Sequence, residues 1–332
     1  MNIKGINYDA GTEYRPGEMS REIWNTDDVV RDMRVIKEEL HCNSVNVYGT
    51  DLPRMVTTAE IALTQGLAVS YQPRSIDRSR SEMLEWVGVG AAAAEGLRGN
   101  GDVTLNVGCE TSLFTEGFVP GRSFMSRMRN LTWYWPFLRR VNTLLNSHLN
   151  DVLGVARGHF GGRVTYGSGS WESVDWSGFD LVGVNLYRDR WNAKTYVGDL
   201  EKLADHGKPV VITEFGCCTF EGAETKGGGG WLIVDFDRDP PVVKPGYTRS
   251  ERVQARHLDE LLGLFDDAGI HGAYVFDFMQ AGFANYSDPL KDLDMASYGV
   301  VKVAPSKPGD TSIRWERKEA FEVVSRRYGA TF

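Results

Sequence analysis

The stretch Pro209-Val-Val-Ile-Thr-Glu-Phe-Gly-Cys217 runs from a proline through three branched apolar residues to a threonine, a glutamate, an aromatic ring and a glycine. Branched apolar runs bounded by proline and glycine form buried strands. A strand of this kind belongs in a parallel sheet covered on both faces. A carboxylate at its exit is costly to bury. Glu214 is therefore expected either to pair with an arginine or to take part in chemistry.

The same grammar repeats on both sides of this stretch. Strands are predicted at 3–8, 44–48, 67–71, 102–110, 163–166, 180–187, 210–214 and 272–278. Helical segments separate most of them. Thr26-Asp27-Asp28 supplies a cap and an acidic first turn for a helix reaching Leu40. Pro53 opens a second helix, which closes near Gly66. Further helices are expected over 79–97, in a long segment ending near His148, and over 194–206, 249–268 and 318–327. Parallel strands joined by helices need right-handed crossovers. Eight such units close into a (β/α)8 TIM barrel, here a single α/β domain over residues 1–332. The competing open, doubly wound sheet would carry a glycine-rich phosphate turn after an early strand. The Gly227–Gly230 run lies late, in a loop, and has the composition of a flexible linker.

The 42% hydrophobic and 25% charged content is that of an ordinary globular chain. A net charge of -8 argues against nucleic acid and against an anionic membrane as partners. No apolar run approaches the roughly 20 residues that cross a bilayer. Cys42, Cys109, Cys217 and Cys218 show no disulfide spacing. A strand begins almost at Met1, with no leader-like segment before it, so a reducing, cytoplasmic setting is expected. Cys109, Cys217 and Cys218 could form a soft-metal site. Adjacent cysteines seldom reach one ion, so no metal and no cofactor is expected. Asp292 and Asp294 read as solvated loop charges.

Alternation along the strands sorts their faces. Val103, Leu105 and Val107 share one face of the fourth strand, and Thr104, Asn106, Gly108 and Glu110 the other. In the sixth strand Val182, Val184 and Leu186 alternate with Gly183, Asn185 and Tyr187. In the second, Val45 and Val47 alternate with Asn46 and Tyr48. The small and polar face belongs inside, which delivers Tyr48, Glu110 and Tyr187 to the mouth. Active sites of such barrels sit at the C-terminal strand ends. Glu110 and Glu214 stand at two such ends. Paired carboxylates, one protonated and one ionised, are what glycosidic bond cleavage requires. Glu116 and Glu172 are alternatives should the end of the fourth strand lie elsewhere. Tyr8, Tyr48, Trp171, Tyr187 and Phe276, with Asn185, are the expected sugar contacts.

Thr213-Glu-Phe-Gly216 resembles the nucleophile motif of the large clan of retaining β-glycosidases built on (β/α)8 barrels. Trp171-Glu-Ser-Val-Asp-Trp176 followed by Phe179-Asp-Leu-Val-Gly-Val-Asn-Leu-Tyr187 is similar to that clan's passage from strand five to strand six. Gly66-Leu-Ala-Val69 with Gln72-Pro73 resembles its third strand, and Tyr298-Gly-Val-Val301 with Lys318-Glu-Ala-Phe321 its closing segment. The resemblance implies Glu110 as acid/base, Glu214 as nucleophile and Tyr187 as a hydrogen-bond partner of Glu214. One position departs from the pattern. The clan places asparagine before the acid/base glutamate, to reach the sugar 2-hydroxyl. This chain has Cys109, and a thiol is a weak partner. Strand eight carries Phe276 and Asp277 where the clan commonly has tryptophan. A fainter resemblance runs to bacterial barrel proteins labelled "abortive infection".

The expected activity is double-displacement hydrolysis of a β-linked glycoside, with the two carboxyl groups about 5–5.5 Å apart. The alternative is a barrel that binds a glycan or a protein partner without cleaving it. Residues 217–248 form a long loop after strand seven, expected to act as a lid. Sugar, linkage and oligomeric state are not encoded in these motifs.

Overall fold

The computed structural model describes residues 1–330. Eight parallel strands carry the fold: β1 Ile3–Asp9, β2 Ser44–Gly49, β3 Ala68–Pro73, β4 Val103–Cys109, β5 Arg163–Gly167, β6 Val182–Asn185, β7 Val210–Phe215 and β8 Gly272–Val275. Their order in the sheet is β5-β4-β3-β2-β1-β8-β7-β6. The barrel closes between β5 and β6 through a parallel bridge from Ser168 to Val184. There the Ser168 amide donates to Gly183 O at 3.0 Å and the Asn185 amide to Ser168 O at 2.8 Å. Closure leaves no sheet edge exposed to another chain.

The helices are α1 Thr26–Glu38, α2 Leu52–Thr64, α3 Arg80–Leu97, α4 Thr111–Phe114, α5 Phe124–Tyr134, α6 Leu138–His159, α7 Tyr196–Leu203, α8 Glu251–Asp267 and α9 Glu319–Gly329. Each long one turns an apolar stripe to the barrel wall. In α6 the stripe is Val141, Leu145, Leu149, Val152 and Ala156, all buried. That periodicity carries the helix well past His148, where the sequence reading ended it. Gly154 and Gly158 lie on its exposed side and do not break it. The cap of α1 is Asn25 rather than Thr26, its side chain accepting from the Asp28 amide at 2.8 Å. Between β5 and β6 a 3-10 turn at Trp176–Gly178 takes the place of a helix. Trp176 and Phe179 pack edge-on at 5.4 Å and cover Tyr166 on the barrel wall.

Inside the barrel the layers change from apolar at the bottom to polar at the mouth. Leu181, Val211 and Tyr274 fill the lower end with Ile3. Gly5 is obligatory there, because a Cβ would lie 2.3 Å from the Tyr274 ring. Above them Asn46 donates to Asn7 Oδ1 at 2.6 Å and to Gln72 Oε1 at 3.2 Å.

Two strands break alternation. Along β7, Ile212 pairs with Ala273 and Phe215 with Val275, so three steps on β7 match two on β8. The same surplus appears against β6, where Ile212 pairs with Val184 and Glu214 with Asn185. This is a bulge at Thr213–Glu214, a device that re-aims a side chain. Phe215 thereby returns to the helix side and packs on Phe265 of α8 at 4.9 Å. In β4, Asn106 pairs with Thr165 and Cys109 with Gly167, again one residue in excess.

Residues 217–248 are well packed. Phe220, Ile233, Val234 and Val243 are buried in a second apolar cluster with Tyr48, Phe276 and Tyr298. The glycine run is not linker. Tyr298 Oη donates to Gly227 O at 2.6 Å and accepts from the Gly230 amide at 2.9 Å. A Cβ on Gly230 would come within 2.7 Å of Cys218 Sγ. Asp292 and Asp294 are also not solvated charges. Both are buried and pair with Arg249, and Asp294 also holds the buried Lys318 ammonium at 2.9 Å. Charges this deep require partners, and here they tie the segment after β8 to the starts of α8 and α9.

Candidate active site

Glu214 reaches the barrel mouth because of the β7 bulge. Under strict alternation, Thr213 and Glu214 would point to opposite faces. Instead Thr213 Oγ1 donates inward to Asn185 Oδ1 at 2.7 Å, while Glu214 also turns to the mouth. Its Oε1 accepts from Arg74 and, at 3.5 Å, from the Cys109 thiol. Its Oε2 accepts from Tyr187 Oη at 3.1 Å. The residue is 5% exposed.

Glu110 follows β4 in a left-handed conformation, φ 42° and ψ 46°. Few non-glycine residues adopt it without surrounding support. The turn carries its side chain over the barrel, where Oε1 accepts from Asn185 Nδ2 at 3.1 Å. Burial pushes its carboxyl up to about 8, and the nearby Glu214 adds to the rise. Alternation correctly leads to an inward Glu110, but by the wrong route. The extra residue in β4 turns Gly108 toward Met83 and Tyr166 on the helix side. Cys109 faces inward in its place. Cys109 Sγ accepts from Asn185 Nδ2 at 3.3 Å and donates to Glu214. Asn185 and Cys109 therefore bridge the two glutamates.

Tyr187 and Phe276 stand side by side, their rings edge-on at 6.4 Å. Phe276 stacks on Tyr48 at 6.0 Å. Tyr48 Oη donates to Asp277 Oδ2 at 3.1 Å. Burial raises Asp277 to about 8, helped by the charge of Asp9. A Cβ on Gly228 would lie 3.3 Å from the Tyr187 ring, so the glycine-rich turn backs the tyrosine that holds Glu214.

Two expected sugar contacts are placed elsewhere. Tyr8 faces the helix layer and donates to Asp32 Oδ2 of α1 at 2.8 Å. Register explains it: Asn7 pairs with the inward Asn46, and Tyr8 with the outward Val47. Asp9, paired with Tyr48, occupies the mouth at this strand. Trp171 is half-buried, and its indole N–H donates to Ser112 Oγ at 2.9 Å. It is anchored to the loop after β4 rather than to either glutamate. Glu172 is bound up in backbone contacts of the same loop, and Glu116 lies further along it, its amide donating to Arg78 O at 2.8 Å.

Arg74 is the residue the sequence reading passed over. It follows Pro73 at the end of β3, is 4% exposed, and lies 4.0 Å over the Tyr48 ring. Its Nη1 donates to Tyr14 Oη at 3.0 Å. A charged residue directly after a strand-ending proline was the available signal. Tyr14 also lines a cleft of about 720 Å³ between the hairpin after β1, the start of α5 and the 217–248 segment. Phe124, Leu232, Phe236 and Lys244 line the same cleft. Among the described residues no group of three or more His, Cys, Asp or Glu side chains is arranged to hold a metal. Among them, too, no helix is long and apolar enough to cross a membrane.

The fold is a (β/α)8 barrel with Glu110 and Glu214 at the ends of β4 and β7. Among solved structures the chain is similar to a GH113 β-1,4-mannanase complex, with TM-score 0.63 and 14% identity over 99% of both chains. It is similar to the GH113 β-mannanase AaManA from Alicyclobacillus acidocaldarius, with TM-score 0.62 and 17% identity over 98% of this chain and 97% of that one. The apo structure of β-glucosidase 1317 superposes with TM-score 0.59 and 10% identity over 99% and 98%. At such identities the likeness is one of fold. No protein-family model and no curated protein matches the chain.

Proposed function

We propose that the protein is a retaining glycoside hydrolase acting on a β-linked glycoside. A single arrangement carries this reading: from the ends of β4 and β7, Glu110 and Glu214 meet over the barrel mouth, bridged by Asn185 and Cys109, in different electrostatic surroundings. Arg74 and Tyr187 both donate to Glu214. Burial keeps Glu110 protonated at neutral pH. The arginine-paired carboxyl is read as the nucleophile and the raised one as the acid. Glu214 attacks the anomeric carbon as the glycosidic C–O bond breaks. Glu110 gives its proton to the departing oxygen. Glu110, now ionised, takes a proton from water, whose oxygen displaces Glu214 from the sugar. No metal or organic cofactor enters this sequence. Tyr187, Asn185, Tyr48 and Phe276 line the sugar site, and the 217–248 segment covers one side of it as a fixed lid. The buried free thiols fit a reducing, cytoplasmic setting.

The neighbours named β-mannanase make β-mannosides the first substrates to try. A 2-deoxy-2-fluoro-β-glycoside with a good leaving group should add its mass to the peptide bearing Glu214. A second reading, a barrel that binds a glycan without cleaving it, is favoured by Cys109 and by the 5% exposure of Glu214. Absence of labelling and of turnover across mannosides, glucosides and glucuronides, with glycan binding retained, would establish that reading instead.

A further inference from the structure

We infer that Glu172, acting with Tyr166, is a positioning residue that holds Glu110 in its catalytic orientation. The inference rests on the assignment of Glu110 as acid/base. Glu110 depends on a left-handed backbone turn that a side-chain-bearing residue does not hold unaided. The amides immediately after it have fixed partners. Thr111 N donates to Tyr166 Oη at 2.7 Å. Ser112 N donates to Glu172 Oε1 at 2.9 Å. Tyr166 Oη in turn donates to Glu172 Oε2 at 2.7 Å, and the Gly169 amide adds a bond to the same oxygen at 3.0 Å. The Glu110 amide itself donates to Gly167 O at 2.8 Å.

The turn is thus fastened on both sides to the end of β5 and the loop beyond it. Glu172 accepts three hydrogen bonds and carries no cation partner within salt-bridge distance among the described residues. A partly buried carboxylate without a cation is costly, and the geometry it enforces is what retains it. Trp171 closes the same clamp through its bond to Ser112 Oγ. General-acid catalysis needs heavy-atom placement within hydrogen-bond reach of the leaving oxygen. Loosening the turn therefore affects both proton transfers of Glu110, donation to the leaving oxygen and abstraction from water.

The test compares Glu172→Gln and Tyr166→Phe with the unmodified protein on two substrates of one sugar. One carries an alkyl or sugar leaving group, which needs the acid. The other carries 2,4-dinitrophenolate, which leaves without it. Each variant should lose about tenfold or more of kcat/KM on the poor leaving group, within the usual range of general-acid contributions. Each should stay within about twofold in kcat/KM on the dinitrophenyl glycoside, whose first step needs no acid, while kcat and KM there fall together as the water-activating step slows. Equal losses on both substrates, or no loss on either, overturn the proposal. Glu110→Ala tests the underlying assignment separately. It must show the same leaving-group pattern, and azide must restore its turnover of the dinitrophenyl substrate. Failure of that control removes the acid/base role itself, whereas its success with unaffected clamp variants removes only the clamp.

Discussion

Arg74, at the end of β3, and Glu214, in β7, form a buried ion pair across the barrel mouth, with 4% and 7% of their side chains exposed. The arginine also lies over Tyr48 and bonds Tyr14. Glu214, the proposed nucleophile, is therefore also the counter-charge of a buried cation.

Removing that counter-charge should be costly. Glu214→Ala leaves Arg74 buried without an anion, a loss of about 3–5 kcal/mol. Glu214→Gln keeps an oxygen for Arg74 to bond and should lose far less, while abolishing turnover. Chemical denaturation of the three proteins checks this. Stability equal to that of the unmodified protein in both variants would count against the ion pair.

The pH profile follows from Glu110. Its raised carboxyl means kcat/KM should fall as pH rises through about 8. The sign for stability is equally definite. Below the ordinary glutamate range both folded and unfolded chains carry the proton. Above it the unfolded chain releases its proton while the folded one retains it until about 8, so stability falls with pH over that window. Glu110→Gln should thus raise Tm at pH 9 by about 2–4 °C or more and leave it nearly unchanged at pH 4. Asp277, also raised to about 8, should respond alike in Asp277→Asn. Tm values that shift equally at both pH values would refute the protonation argument.

Cys109 is 6% exposed, and burial, reinforced by Glu214, pushes its thiol well up. Only the thiolate reacts quickly. Iodoacetamide at pH 7.5 should leave Cys109 unmodified in the folded protein and modify it after denaturation, as read by peptide mass. Rapid native-state labelling would show that the thiol is open to solvent.

Lys318 and Asp294 are both essentially excluded from solvent. Lys318→Ala should cost about 3–5 kcal/mol, since Asp294 keeps only Arg249. Urea unfolding gives the number, and a change below about 1 kcal/mol would mean that the network contributes little.

The strands, their parallel order and the mouth were legible because apolar runs and their punctuation are local properties. What escaped depends on register. Tyr8 was assigned to the mouth from its place at a strand end, yet pairing with Val47 turns it outward. Gly108 was assigned inward because alternation cannot register an inserted residue. The burial of Asp292 and Asp294 depends on Arg249 and Lys318, both distant in sequence, so their solvated reading was unavoidable from local composition. Arg74 and Glu172 were within view as letters, but their roles exist only through contacts between loops.

The irregularity in β7 has an evolutionary corollary. Because Glu214 faces the mouth by virtue of one surplus residue, its chemistry is inherited as a length as well as a letter. Loss of the Thr213 codon would restore an even strand and move the glutamate into the inward place where Thr213 now meets Asn185, with the barrel otherwise intact. A frame-preserving deletion can therefore misplace the acidic group while the glutamate itself is retained.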